Sequence, residues 1–252
     1  MSPPLVVALD PGHGGTNLGA SGPGRGVYEK RLTLALAERV RALLDEASDA
    51  QLAIRVVLCR ESDALVPIRA RARCAKDSGA RLFLSLHANA VPAGVPRGSR
   101  RGFEVFVLGP REVEDDAALA TQAEAQDADA VWAAHEVRAA AEQSIVLARG
   151  VADHLARALG PGARRGVRQG GATLDVLRGT GTAAALIEIG FLDHPEEGAK
   201  LATAEGREPI ARALVAAIHA YLDQGTAGPP SASFNAPAEG DLSAPALPDF
   251  AQ

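Results

Sequence analysis

The chain has 252 residues, 47% of them hydrophobic and 23% charged, which suffices for one large α/β domain with a real core or for two small domains. A formal net charge of −5, with arginines interspersed among acids, argues against a nucleic-acid backbone as partner, since that needs a clustered positive surface. No apolar run approaches the roughly 18 residues of a membrane span.

Met1-Ser2-Pro3-Pro4 leads straight into the first apolar run, which leaves no room for a secretory leader in this stretch. That run, Leu5–Leu9, reads as a buried strand and stops at Asp10-Pro11-Gly12-His13-Gly14-Gly15, a tight turn offering one imidazole. A helix with one apolar stripe follows, through Leu32, Leu36, Val40 and Leu43. The run Ile54–Cys59 is a second strand, and Pro67–Lys76 a second helix with Arg69, Arg71 and Arg73 expected in solvent. Cys59 and Cys74 lack the close spacing of a zinc pair and are expected as buried free thiols. Further strands are predicted at Leu82–His87, Phe103–Leu108 and Ala184–Ile189, with helices over Ser144–Leu159 and Pro209–Leu222. Strands alternating with helices of this length imply an α/β layer architecture with a largely parallel sheet, read economically as one domain over residues 1–224. Arg111–Gln143 stands apart as an acidic, alanine-rich helical insert carrying Trp132, the only tryptophan. Residues 225–252, rich in Pro, Ala, Ser and Gly and without a basic residue, read as a disordered tail.

Four residues stand out against this background. His13 follows a permissive glycine turn at the carboxyl end of the first strand, where α/β sheets usually bind ligands. The alternative, a phosphate-cradling glycine loop, lacks the Gly-Lys-Ser/Thr ending and has Asn17 where a dinucleotide fingerprint needs a glycine. Glu29, just ahead of the first apolar stripe, is either a ligand or a carboxylate favouring a helix amino terminus. The period of two in Phe83–Asn89 places Ser85, His87 and Asn89 on one side, so His87 is either a ligand or a hydrogen-bonded core histidine. Asn89 can orient a ligand, bind a substrate amide or cap the next turn. Glu188 is a lone carboxylate in an apolar strand, and burying it unpaired costs several kcal/mol. It therefore faces a cleft or a cation, or pairs with an arginine in the core. Two imidazoles and a carboxylate form a ligand set that suits catalytic zinc, and a further non-ligating carboxylate suits a general base.

These residues carry a family resemblance. The chain resembles the zinc-dependent N-acetylmuramoyl-L-alanine amidases from Leu5 to Leu222. The matching elements are Asp10–Gly15, Glu29-Lys30, Arg60–Asp63, Ser85–Asn89, Arg101–Val105, Val176–Arg178, Ile187–Leu192 and Pro195–Glu197. Any one of them is weak; in this order they are specific. The resemblance implies one zinc ion per chain held by His13, Glu29 and His87, with Glu188 as catalytic carboxylate. It also implies a single α/β domain with a twisted mixed sheet flanked by helices, zinc-hydrolase/phosphorylase-like. The implied substrate is the peptidoglycan amide joining N-acetylmuramic acid to the L-alanine of the stem peptide, and the implied location is the cell envelope. Asn89 and Arg101 are the expected substrate contacts, although Arg101 also reads as a surface arginine. Some relatives carry a helix in the region of 111–143 that covers the cleft until a partner displaces it, so an activator acting on that segment is a further expectation, weighed against a solvated helix anchored by Trp132. A zinc exopeptidase on ordinary peptides keeps the same metal chemistry with a different pocket. A catalytically inactive wall-binding module should have lost its base, and Glu188 argues against it.

Overall fold

Apolar strands become the middle layer and the amphipathic helices cover them, because each strand run can bury both of its faces only between helices. A computed structural model describes residues 3–47, 53–123, 127–170 and 174–226. In chain order the elements are β1 (Leu5–Pro11), α1 (Glu29–Ala47), β2 (Ile54–Leu58), α2 (Ile68–Asp77), β3 (Leu82–Asn89) and β4 (Phe103–Val107). They continue as α3 (Pro110–Ala123), α4 (Asp127–Leu159), β5 (Arg164–Gln169), β6 (Ala183–Phe191), α5 (Pro195–Leu201) and α6 (Ala204–Thr226). The six strands form a single mixed sheet in the order β2-β1-β3-β6-β4-β5. β2, β1, β3 and β6 run parallel, whereas β4 is antiparallel to β6 and β5 parallel to β4.

Alternate residues of each strand feed two different cores. Val7, Leu9, Leu84, Leu86, Val105, Ala185 and Ile187 join α1, α4 and α6 in the larger one. Ala8, Phe83, Phe106, Ala184 and Leu186 face a smaller cluster with Ala75 of α2 and the short 3-10 turn Asp175–Leu177. The thin layer matters for function. Register pairs Asp10 with Ser85, and His87 with Glu188 and Glu188 with Glu104, so on this face the apolar rows give way to polar rows at the carboxyl ends of β1, β3 and β6.

The expected α/β single domain is present, with departures, among them the unexpected α5 and an α6 that starts at Ala204 rather than Pro209. β5 was not expected: its sequence Arg-Arg-Gly-Val-Arg-Gln has no apolar alternation, and every one of its residues is half-buried or exposed. α4 starts at Asp127 rather than Ser144, as one 33-residue helix whose carboxyl half packs on the sheet. Cys59 and Cys74 are not free thiols but a disulfide: α2 folds back beside the end of β2 and brings their Cα atoms to 5.6 Å, within bridging distance. Arg71 is not in solvent; it is buried against Asp10, while Arg69 and Arg73 are exposed. Of the tail, residues 225 and 226 continue α6 and 227–252 lie outside the described residues.

Candidate metal centre and active site

Asp10, next to last in β1, is wholly enclosed, with 0% of its surface exposed. Its carboxylate accepts from Arg71 Nη1 at 2.6 Å and from Ser85 Oγ at 2.8 Å, which compensates the buried charge. Arg71 also donates to the carbonyls of Pro11, His13 and Val66. Arg60, buried on the other side, donates to the carbonyls of Pro11, Gly12 and Lys30. Two guanidinium groups thus hold the turn by its backbone oxygens. The turn needs holding, because His13 adopts φ 62°, the only non-glycine in the left-handed region among the described residues. Such a conformation costs on the order of 1 kcal/mol or more and persists only when its surroundings enforce it.

The same turn admits the second imidazole. A Cβ on Gly12 would lie 2.3 Å from His87 Cε1, so only glycine leaves room for that ring. At Gly19, also in the left-handed region with φ 66°, a Cβ would lie 2.5 Å from Glu29 Oε2.

Glu29 is the hub. It opens α1 and is 2% exposed. Oε2 lies 3.0 Å from His13 Nε2 and accepts from Ala20 N at 2.8 Å. Oε1 lies 2.9 Å from His87 Nδ1 and accepts from Ala88 N at 2.9 Å. The imidazoles stand edge to face with centroids 4.9 Å apart, and His13 Nδ1 is 2.8 Å from Asn17 Oδ1. Burial works against ionisation of Glu29, yet hydrogen bonds to both histidines and their charges hold its carboxyl far below the usual range. Burial likewise works against a charged His13, but the hydrogen bond and charge of Glu29 raise its pKa. One ligand atom from each of His13, Glu29 and His87 lies within 4.8 Å of the others, so the group can hold a metal ion. The donor chemistry, two neutral-capable imidazoles and a carboxylate with Asn17 orienting one ring from behind, fits zinc with a coordination position left open.

Glu188 sits next to this group, in register with His87 on the neighbouring strand. Its Oε2 is buried without a hydrogen-bond partner. Burial first, then the charges of Glu29 and Glu104, push its pKa well up. An enclosed carboxylate oxygen left unsatisfied beside a candidate metal centre is costly to keep, which points to a functional role.

The two expected substrate contacts fall differently. Asn89 ends β3 near the cleft, but its Oδ1 accepts from Ala90 N and its Nδ2 donates to Glu104 Oε2 at 3.3 Å. Arg101 is exposed and lines a separate cavity of about 340 Å³ with Leu159, His194, Glu197 and Lys200; none of His13, Glu29, His87 or Glu188 borders it. Asp10, Arg60, Arg71 and Glu104 were not among the expected site residues. Glu104 was legible, since it too is a lone carboxylate in an apolar strand.

The described parts of the segment 111–143, namely 111–123 and 127–143, do not cover the site. β4 runs away from the cleft, so α3 starts at the opposite end of the sheet, where Asp116 pairs with Arg178 ahead of β6 at 2.6 Å. Nor does Trp132 anchor the segment: it is 66% exposed and contacts His135 edge to face.

Fold and donor set together define an α/β domain with a candidate metal centre at the carboxyl ends of its parallel strands. Residues 7–220 match the family model of N-acetylmuramoyl-L-alanine amidase, and the chain belongs to that family. It is 30% identical over 232 residues to N-acetylmuramoyl-L-alanine amidase AmiA of Escherichia coli K12, covering 86% of this chain and 76% of that one. It is 28% identical to probable amidase AmiB of Haemophilus influenzae over 86% of this chain but 52% of that protein, so the chain spans about half the length of several curated relatives. Among solved structures, an N-acetylmuramoyl-L-alanine amidase from Clostridium difficile 630 superposes with a TM-score of 0.69 at 26% identity, covering 88% of this chain and 98% of the other. AmiC2 of Nostoc punctiforme gives 0.66 at 27% identity, covering 87% and 97%. No described helix is long and apolar enough to cross a membrane.

Proposed function

We propose that this chain hydrolyses the amide between N-acetylmuramic acid and the L-alanine of the peptidoglycan stem peptide, in the cell envelope. One zinc ion would be held by His13, Glu29 and His87, with Glu188 as general base and residues 1–224 as the catalytic domain. The observation that carries the reading is the unpartnered, buried Glu188 Oε2 beside three converging ligand atoms. When bound, the ion supplies Lewis acidity toward the attacking water and the scissile carbonyl.

The remaining steps belong to the protein. Glu29 holds both imidazoles at fixed separation, each of its oxygens steadied by a backbone N–H. Glu188 Oε2 takes a proton from the attacking water and delivers it to the departing L-alanine nitrogen. Asn89 is kept as a contact at the edge of the cleft, and Arg101 as a contact to a part of the substrate beyond it. A partner protein would meet the α3–α4 hairpin at the exposed side chains of Leu119, Val131 and Trp132, away from the cleft rather than over it.

Glu188→Gln keeps the shape and removes the base, so zinc content stays while turnover on muropeptides falls by at least about 10²-fold. Mass spectrometry of digested peptidoglycan shows new L-alanine amino termini and no new reducing ends. A near-normal rate for the variant, or new reducing ends, overturns the reading; preferential cleavage of simple dipeptides favours the exopeptidase instead.

A further inference from the structure

The polar row that begins at the metal centre does not end at Glu188. It runs from His87 on β3 to Glu188 on β6, then to Glu104 on β4, and reaches the edge strand β5. Between the pairs Phe103–Arg164 and Val105–Val167, β5 carries one extra residue. Gly166, with φ 114°, sits in this bulge. A regular strand would point residues 165 and 168 to opposite faces; the extra residue turns both to the same face. Arg165 Nε lies 3.3 Å from Glu104 Oε2, and Arg168 Nε lies 3.5 Å from Glu104 Oε1.

These contacts leave much of both guanidinium groups unused. Glu104 is 7% exposed and carries one charge against two. Arg165 Nε completes no hydrogen bond of good geometry, and the side chains of Arg165 and Arg168 remain 31% and 46% exposed. Arg165 is further fixed by the Phe191 ring, 5.3 Å from its Cζ. The result is a forked, oriented and net positive surface at one side of the cleft, of the kind that receives a carboxylate in two parallel hydrogen bonds.

We infer that Arg165 and Arg168 anchor a free carboxylate of the stem peptide, on the leaving-group side of the scissile amide. The inference rests on the amidase reading above. In the amidase reading Glu188 protonates the departing nitrogen, which sets the peptide on the Glu188 side of the cleft, and the row continues from there toward Glu104 and the arginines. The sugar on the other side of the bond offers no charge. Two residues of peptide reach about 7 Å, and the arginines meet Glu104 one strand spacing of about 4.8 Å beyond β6. The carboxylate within reach is therefore that of the second stem residue, the α-carboxylate left free when D-glutamate is linked through its side chain.

The test uses the zinc-loaded full chain and two muramyl dipeptides that differ in one group, L-Ala-D-Glu with the carboxylate and L-Ala-D-isoGln with a carboxamide in its place. The wild type prefers the acid in kcat/KM by at least about tenfold, the size expected for hydrogen bonds to a charged group. Arg168→Ala and the double variant Arg165→Ala/Arg168→Ala bring the ratio toward one at normal zinc content, and binding of the product L-Ala-D-Glu, read by calorimetry, weakens in step. Equal rates on the two substrates in the wild type, or a ratio that survives the double variant, overturn the anchor and leave the amidase reading intact. Cleavage of neither substrate overturns both.

Discussion

Replacing Arg71 by methionine is the most informative single perturbation of the turn that carries His13. Methionine fills much of the same space but removes donors to Asp10 and to the carbonyls of Pro11, His13 and Val66. Asp10, at 0% exposure, keeps only the hydroxyl of Ser85. Breaking a buried ion pair from one side costs about 3–5 kcal/mol, because the surviving charge stays desolvated. For a domain of this size each kcal/mol lowers Tm by about 2–4 °C, so a fall of roughly 6–20 °C is expected by calorimetry. Adding Asp10→Asn removes the stranded charge, and the double variant is more stable than the sum of the single changes predicts by at least about 1 kcal/mol. The left-handed backbone at His13 also loses its tether, and zinc affinity falls about 10–100-fold, as for other residues that support a metal ligand from behind. An Arg71→Met protein that melts within about 2 °C of the parent and binds zinc normally refutes the argument that this pair holds the turn.

Gly12→Ala drives a Cβ into the His87 ring, whose three nearest atoms lie 2.3 to 2.7 Å away, and zinc affinity falls at least about tenfold while the helical circular dichroism is kept; tight zinc binding contradicts it. Replacing Cys59 and Cys74 together by alanine frees a segment with a sequence separation of 15 and lowers unfolding stability in denaturant by about 3 kcal/mol; an unchanged midpoint denies the bridge a stabilising role. Deleting the outer part of the α3–α4 hairpin, roughly residues 115–138, leaves the basal rate on soluble muropeptides within about twofold, since the hairpin springs from the sheet end away from the cleft; a large rise in rate restores the idea of a cover.

Much of this molecule is visible in its amino-acid order, and the parts that are not share a cause. Four strands announce themselves because they are buried on both faces, β2 because its run is apolar although partly exposed, and the four proposed metal and catalytic residues because each is a polar interruption at a strand or helix end. β5 is hidden because none of its residues is fully buried, so neither face demands an apolar row. The first half of α4 is hidden because a helix projecting from the body needs no apolar stripe. Arg71 looks like one of three alternating arginines; only the packing of α2 against β1 turns it toward Asp10. The bridge between Cys59 and Cys74 depends on how two elements dock, which no local pattern records.

The composition of β5 also bears on how this protein behaves in company. The six-stranded mixed sheet ends on this side in a strand whose outer edge has no strand neighbour among the described residues, the feature that lets sheets join edge to edge. Three arginines in six residues and a glycine kink at Gly166 make that edge short, twisted and self-repelling between copies. Any variant that straightens the kink or discharges the arginines would therefore expose an adhesive border. Its first symptom would be loss of solubility at high concentration, before any loss of fold.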